Sequence, residues 1–232
     1  MLTVQFDKRR FIILSFAFIL ATVVGTLSHE FGHYIAAKSL GYEASIHYGY
    51  VDYGEGFYDS INKITSQYRK QIEKGESFPA KDRYDGFIRE SLWMSIGGPL
   101  QTLFTGTIGL ILLLVCRKSF NVRQKLIAWQ WVLIFITLFW LRQTANMIVW
   151  MATFISTKHV PYSDEIGIAL KLGLPFWSLT TITGVIGIII LYVVIFKFIP
   201  KAQRQTFVLS GIMGGVTGYV LWLYLLGPVL LP

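Results

Sequence analysis

One cysteine in 232 residues, Cys116, excludes an intramolecular disulfide and any cysteine-rich metal site. Charge is scarce as well: 15% of the residues are charged against 53% hydrophobic, and mean hydropathy is +0.53. That balance excludes an ordinary soluble enzyme and points to a polytopic membrane protein. Acidic residues are outnumbered, 13 to 21 lysines and arginines, for a net charge of +8. The excess would suit a nucleic acid if it formed one patch. Instead the bases flank apolar runs: Lys8, Arg9 and Arg10, then Arg117, Lys118, Arg123 and Lys125, then Lys197, Lys201 and Arg204. Short flanking clusters of this kind set topology, and nucleic acid is excluded as a partner.

What the chain has in abundance is uncharged sequence. Runs over 11–28, 92–115, 126–157 (interrupted only by Arg142), 176–196 and 206–231 are each near the roughly 20 residues that span hydrocarbon. An all-α polytopic membrane protein of about five transmembrane helices is expected. Residues 1–175 form its core, with helices near 9–40, 91–116 and 126–156, and 176–232 adds two helices. Lys8 to Arg10 before an apolar run imitates a secretory signal, but the helix continues past residue 33, so it is expected to stay attached. With basic ends inside, the N-terminus is cytoplasmic and the 41–90 and 158–175 connections and the C-terminus are external. Trp93, Trp150 and Trp177 then fall at outer helix ends and Trp129 at an inner one. The expected location is a cell membrane, with the lipid bilayer as partner.

Ionisable residues inside such runs are costly and mark function. The first run ends in His29-Glu30-Phe31-Gly32-His33. Two histidines four apart share one helix face, where both can bind zinc, and the intervening carboxylate can deprotonate a water activated by the metal. A third protein ligand is needed. Asp164, in Pro161-Tyr162-Ser163-Asp164-Glu165, is on the same expected side as His29 and His33; Glu165 and His159 are the alternatives. Ser163 and Asp164 also read as an ordinary helix cap.

The 41–90 connection divides in two. Residues 43–53 alternate Ile46, Tyr48 and Tyr50 on one face, a short strand or hairpin whose edge can pair with an extended peptide. From residue 57, Phe57, Ile61, Ile64, Tyr68 and Ile72 recur at helical spacing up to Gly75, an amphipathic surface helix that covers the protein's own surface or gates access. In Gly97-Gly98-Pro99-Leu100-Gln101-Thr102, Gly98 and Pro99 allow close approach of another chain or free a backbone carbonyl. Gly211 with Gly215, and Gly214 with Gly218, read as packing seams. Arg142 and Asn146 share a face of the third helix. Arg142 is either a partner of Asp164 or Glu165 or, like Asn146, a donor to the oxyanion formed in peptide hydrolysis; Asn146 suits that role better.

The order of these features resembles the site-2 protease family of intramembrane zinc metalloproteases: His29 to Gly41, then a strand-like segment, then Gly-Gly-Pro on the next helix, then a distant aspartate. The resemblance covers roughly residues 11–170, and its tight part is the His-Glu-Phe-Gly-His pentapeptide. It implies zinc on His29, His33 and Asp164, general acid/base work for Glu30, and a membrane-spanning segment of another protein as substrate. Family members carry Asp-Gly where this chain has Asp164-Glu165, an asparagine where it has Thr102, and usually a zinc on the cytosolic side. The other classes compatible with the residues are a zinc-binding membrane protein without proteolysis, a metal or proton transporter, and a different membrane zinc peptidase using Glu165.

Overall fold

The computed structural model describes residues 6–120 and 125–232; Arg123 of the second basic cluster lies outside them. Among the described residues, five helical segments are long and apolar enough to cross a membrane. The first, α1 (Lys8–Ser39), starts where the Asp7 carboxylate accepts the Arg10 N–H at 3.0 Å. At about 1.5 Å per residue it is roughly 48 Å long, so it exceeds a hydrocarbon core of about 30 Å and carries residues 29–33 toward its far end. After it come a two-stranded antiparallel hairpin, β1 (Ser45–Ile46) and β2 (Val51–Asp52), and the surface helices α2 (Glu55–Gln67) and α3 (Arg69–Lys74). Gly75 ends α3 with a left-handed φ of 68°.

The spacing predicts one surface helix up to Gly75; the structure places helix there but divides it at Tyr68. Phe57 and Ile64 are buried, and Phe57 packs edge-on against Tyr42 and Phe87, so this helix covers the protein's own apolar surface. The hairpin is shorter than the alternation suggests. Tyr48 and Tyr50 lie in its turn, not on a strand face. The Tyr48 N–H donates to the Leu231 carbonyl at 3.0 Å, its carbonyl accepts the Trp222 indole N–H at 2.7 Å, and exposed Tyr50 stacks on His47.

The second span, α4 (Lys81–Val115), begins at Lys81 instead of near residue 91. Its charged first turns extend beyond the apolar run and are tied by the Lys81–Asp85 pair at 2.7 Å. The third span is broken where a continuous helix is expected. α5 (Ala128–Thr137) passes through a 3₁₀ turn at Leu138–Trp140 into α6 (Leu141–Thr157). At that turn the Trp140 ring lies on Gly106 and the Trp140 carbonyl on Gly187. A short helix, α7 (Asp164–Lys171), precedes the fourth span, α8 (Ser178–Val193), which ends in a π-helical turn. The fifth comprises α9 (Arg204–Val220), a π-helical turn and α10 (Gly227–Leu230).

α1 lies between α4 and α9. Gly211, Gly214 and Gly218 face Phe18, Ser15 and Ile19 on α1, so three of the four predicted seam glycines allow close packing; Gly215 faces open space. Near the start of α1, Leu14 and Phe18 join Leu113, Ile134, Val194 and Phe207 in one apolar core. His29, Glu30 and His33 are buried toward the opposite end of α1.

Candidate metal centre

Two glycines set the geometry of the site. α1 and α4 cross where Gly32 faces Gly97, and a Cβ on either would run into the other's carbonyl oxygen. Backbone-to-backbone approach of this kind is what small residues permit between membrane helices. It brings the next residue, Gly98, directly against the His29 and His33 rings: a Cβ there would meet the Nε2 atoms of both. The pentapeptide and the Gly-Gly-Pro segment are thus two halves of one crossing. The hairpin packs beside it, with Val51 and Phe57 in a cluster that includes Met94 and Ala37.

His29, His33 and Asp164 converge at this point, and their ligand atoms lie within 4.8 Å of one another. His29 Nε2 is 3.2 Å from His33 Nε2 and 2.9 Å from Asp164 Oδ2; His33 Nε2 is 3.4 Å from the same oxygen. Four ligands at about 2.0–2.1 Å around a tetrahedral ion stand roughly 3.3 Å apart. The observed separations are close to that edge length.

The outer hydrogen bonds decide what the inner atoms are. His33 Nδ1 lies 2.6 Å from the Met94 carbonyl, which can only accept, so Nδ1 carries the proton. The Gly98 N–H, 3.3 Å from the same Nδ1, is a close approach enforced by the crossing. The Thr102 hydroxyl donates to the Gly98 carbonyl at 3.1 Å and so accepts from His29 Nδ1–H at 2.9 Å. Each ring therefore directs Nε2 at the carboxylate oxygen, and in the neutral form that nitrogen is a lone-pair acceptor. Three acceptors facing one another need a proton or a metal cation between them, and two imidazoles with a carboxylate at these separations fit a metal ion. Removing the oriented protons at Nδ1 is the way to disorder such rings.

Asp164 reaches the site from outside the spans. Ser163 caps α7 through its hydroxyl, which accepts the Ile166 N–H at 3.3 Å, and Lys171 pins the other end. The Lys171 ammonium donates to Ser91 Oγ at 2.7 Å, Ser95 Oγ at 2.8 Å and the Ser91 carbonyl at 3.1 Å, all on α4. Burial pushes this lysine below its usual pKa while the charge of Asp164 opposes the shift. Lys171→Met keeps the length of the side chain and removes the three bonds. It is expected to weaken metal binding roughly tenfold, the lower range for loss of a supporting hydrogen bond, as measured by competition with a chromogenic chelator; unchanged affinity would show that α7 is held by its packing alone.

Glu30 is 5% exposed and has no ion-pair partner among the described residues. The hydroxyl of Tyr53, on the chain leaving the hairpin, is held above its usual pKa by burial, with the charges of Asp164 and Glu30 adding to the effect. Arg142 is within electrostatic range of His29 and Glu30, and its Nε is buried without a hydrogen-bond partner. It makes no ion pair with Asp164 or Glu165 among the described residues. Asn146 Nδ2 donates to both oxygens of buried Glu165 at 3.4 Å. Glu165 and His159 stand outside the converging set; His159 is exposed.

No known protein family, curated protein or solved structure matches the chain.

The case for a metal centre therefore rests on the geometry. Among its members, His29, His33 and Asp164 are legible from sequence, as is the closeness of Gly98. Thr102, Lys171 and Tyr53 are not. The available signal for Thr102 was a hydroxyl four residues after Gly98 in an apolar helix, where it bonds the carbonyl one turn back. Its second bond, to a histidine 73 residues away, depends on the crossing.

Proposed function

We propose that the protein is a zinc metalloendopeptidase that hydrolyses peptide bonds within membrane-spanning segments of other proteins, in the manner of the site-2 protease family. The observation that carries this reading is the convergence of His29, His33 and Asp164 in an apolar bundle, with the unpaired carboxylate of Glu30 buried beside them. Two imidazoles and one carboxylate make a three-ligand set of the kind that leaves a fourth position open for chemistry. Zinc bound there would supply Lewis acidity, making water more acidic and the scissile carbonyl more electrophilic.

The chain's own residues supply the remaining steps. Glu30 accepts a proton from the attacking water as the water oxygen bonds to the carbonyl carbon. It then delivers that proton to the amide nitrogen as the C–N bond breaks. The oxygen that gains charge needs donors already in place, and Arg142 Nε–H and the Asn146 amide are the two on the facing helix. Tyr53 stays protonated at neutral pH and is a further donor at the hairpin side. A helical substrate hides its carbonyls in its own hydrogen bonds, so cleavage requires an extended stretch, and the free edge of the short hairpin can pair with one.

The reading is tested with purified protein and a reporter carrying a single membrane segment. Chelation of the metal is expected to stop cleavage, and zinc to restore it. Cleavage that survives complete metal removal, or zinc accumulation by sealed vesicles without any cleavage, would replace the protease with one of its rivals. Orientation is tested separately. From the alternation of basic and acidic connections we infer a site toward the outer face, so a cysteine at exposed Lys74 is expected to react with a membrane-impermeant thiol reagent in intact cells while Cys116 does not. The reverse labelling would turn the site to the cytosol.

A further inference from the structure

A cleft of about 740 Å³ opens between α1 and α5, at the end of the bundle remote from His29. Its walls are apolar, with Ala17, Ala21 and Val24 on one side and Trp131 and Phe139 on the other. Phe135, on the α5 wall, meets Phe18 edge-on with ring centroids 4.9 Å apart. Ala17 and Ala21 are one turn apart, so the missing side-chain bulk forms a continuous hollow along α1. The mouth is different in kind. Arg9, Arg10 and Lys125 surround it, with Asp7 as the one acidic group among the described residues. Asp7 is engaged with the Arg10 backbone N–H at 3.0 Å and lies 4.0 Å from the Arg10 guanidinium, which leaves the mouth with excess positive charge.

We propose that this cleft binds one anionic phospholipid, its phosphate at Arg9, Arg10 and Lys125 and an acyl chain along Ala17 and Ala21. The two halves of the cleft match the two halves of such a lipid. Guanidinium groups recognise phosphate oxygens in pairs, and basic pockets between membrane helices at the cytoplasmic face are where anionic head groups bind. Between Arg10 and Val24 the cleft follows α1 for about 21 Å at roughly 1.5 Å per residue, the reach of an extended chain through one leaflet of a core about 30 Å thick, with room to spare.

The test uses the full chain in a mild non-ionic detergent and in nanodiscs of phosphatidylglycerol or phosphatidylcholine. About one anionic phospholipid per chain is expected in solvent extracts of the purified protein, and a thermal midpoint several degrees higher in phosphatidylglycerol. Arg9→Gln, Arg10→Gln and Lys125→Gln combined are expected to cut lipid retention at least fivefold and to abolish the difference between the two lipids. Removing bases from the first turn of a helix does not weaken the helix, because cations are unfavourable there. Ala21→Trp, which fills the hollow and leaves every charge, is expected to cut retention as strongly, and serves alone if the triple variant fails to fold. Inorganic phosphate and glycerol phosphate are expected to give no protection. Lipid retention equal to wild type in the triple variant and in Ala21→Trp, protection by phosphate alone, or a photo-crosslinker at residue 21 that captures a peptide segment instead of lipid would overturn the proposal.

Discussion

Glu30→Gln is expected to leave the metal in place and to slow cleavage of a membrane-segment reporter by at least about a hundredfold, within the range general acid/base groups contribute. The substitution keeps the shape of the side chain and removes its capacity to take a proton. Glu30 is not among the three converging ligands, so metal content has no reason to fall. Stability is informative as well. A buried carboxylate without an ion-pair partner is expensive to keep, and a neutral amide in its place relieves that cost. The variant is therefore expected to melt at the wild-type temperature or above it, as when a functional group is held at the expense of stability. Metal content, thermal midpoint and turnover are measured on one preparation. A variant that cleaves at the wild-type rate sinks the protease reading, whatever the metal analysis gives.

Gly98→Val is expected to empty the metal centre, with near-complete loss of bound zinc and of cleavage. Even a single Cβ at this position would lie 2.6 Å from His29 Nε2 and closer still to His33 Nε2, in the space the ion needs. Backing α4 away from the rings would pull apart the Gly32–Gly97 contact at the same crossing. Nor can the rings turn away without giving up their bonds to Thr102 and Met94. Gly25→Ala is the matched control: on the same helix as the histidines, with nothing within 4 Å of the added Cβ, it is expected to keep full zinc and to gain a few tenths of a kcal/mol or more in helix propensity. Full zinc occupancy in Gly98→Val would mean that the crossing is looser than its contacts indicate.

The sequence announces this site through residue types that are expensive where they stand. His29, Glu30 and His33 in an apolar run, and Gly98 beside Pro99, can be singled out because membrane helices rarely tolerate them without a reason. The five spans follow from length and hydropathy, and the surface helix from a 3.6-residue period that ends at Gly75. What stays hidden depends on contacts between distant segments. The 3₁₀ turn at Leu138–Trp140 has no proline or glycine of its own; the glycines that admit it, Gly106 and Gly187, lie on other helices. Tyr48 alternates with its neighbours as a strand residue would, yet its backbone is claimed by Leu231 and Trp222. Lys171 reads as an ordinary last-turn lysine until α4 supplies two serines. Nothing in local pattern encodes these partners, because the pairing is made by tertiary packing.

The placement of Asp164 also sets a schedule for biogenesis. His29 and Asp164 are separated by 135 positions in the chain, so at a synthesis rate of about 5–20 residues per second roughly 7–27 s pass between translation of the first ligand and the last. During that interval α1 and α4 can meet and the histidines can take up their bonds to Met94 and Thr102, yet the third ligand does not exist. The nascent protein is then a pair of imidazoles without a carboxylate, with a weaker hold on metal. The proposed activity would begin only after the third span has been inserted and α7 has folded back onto α4.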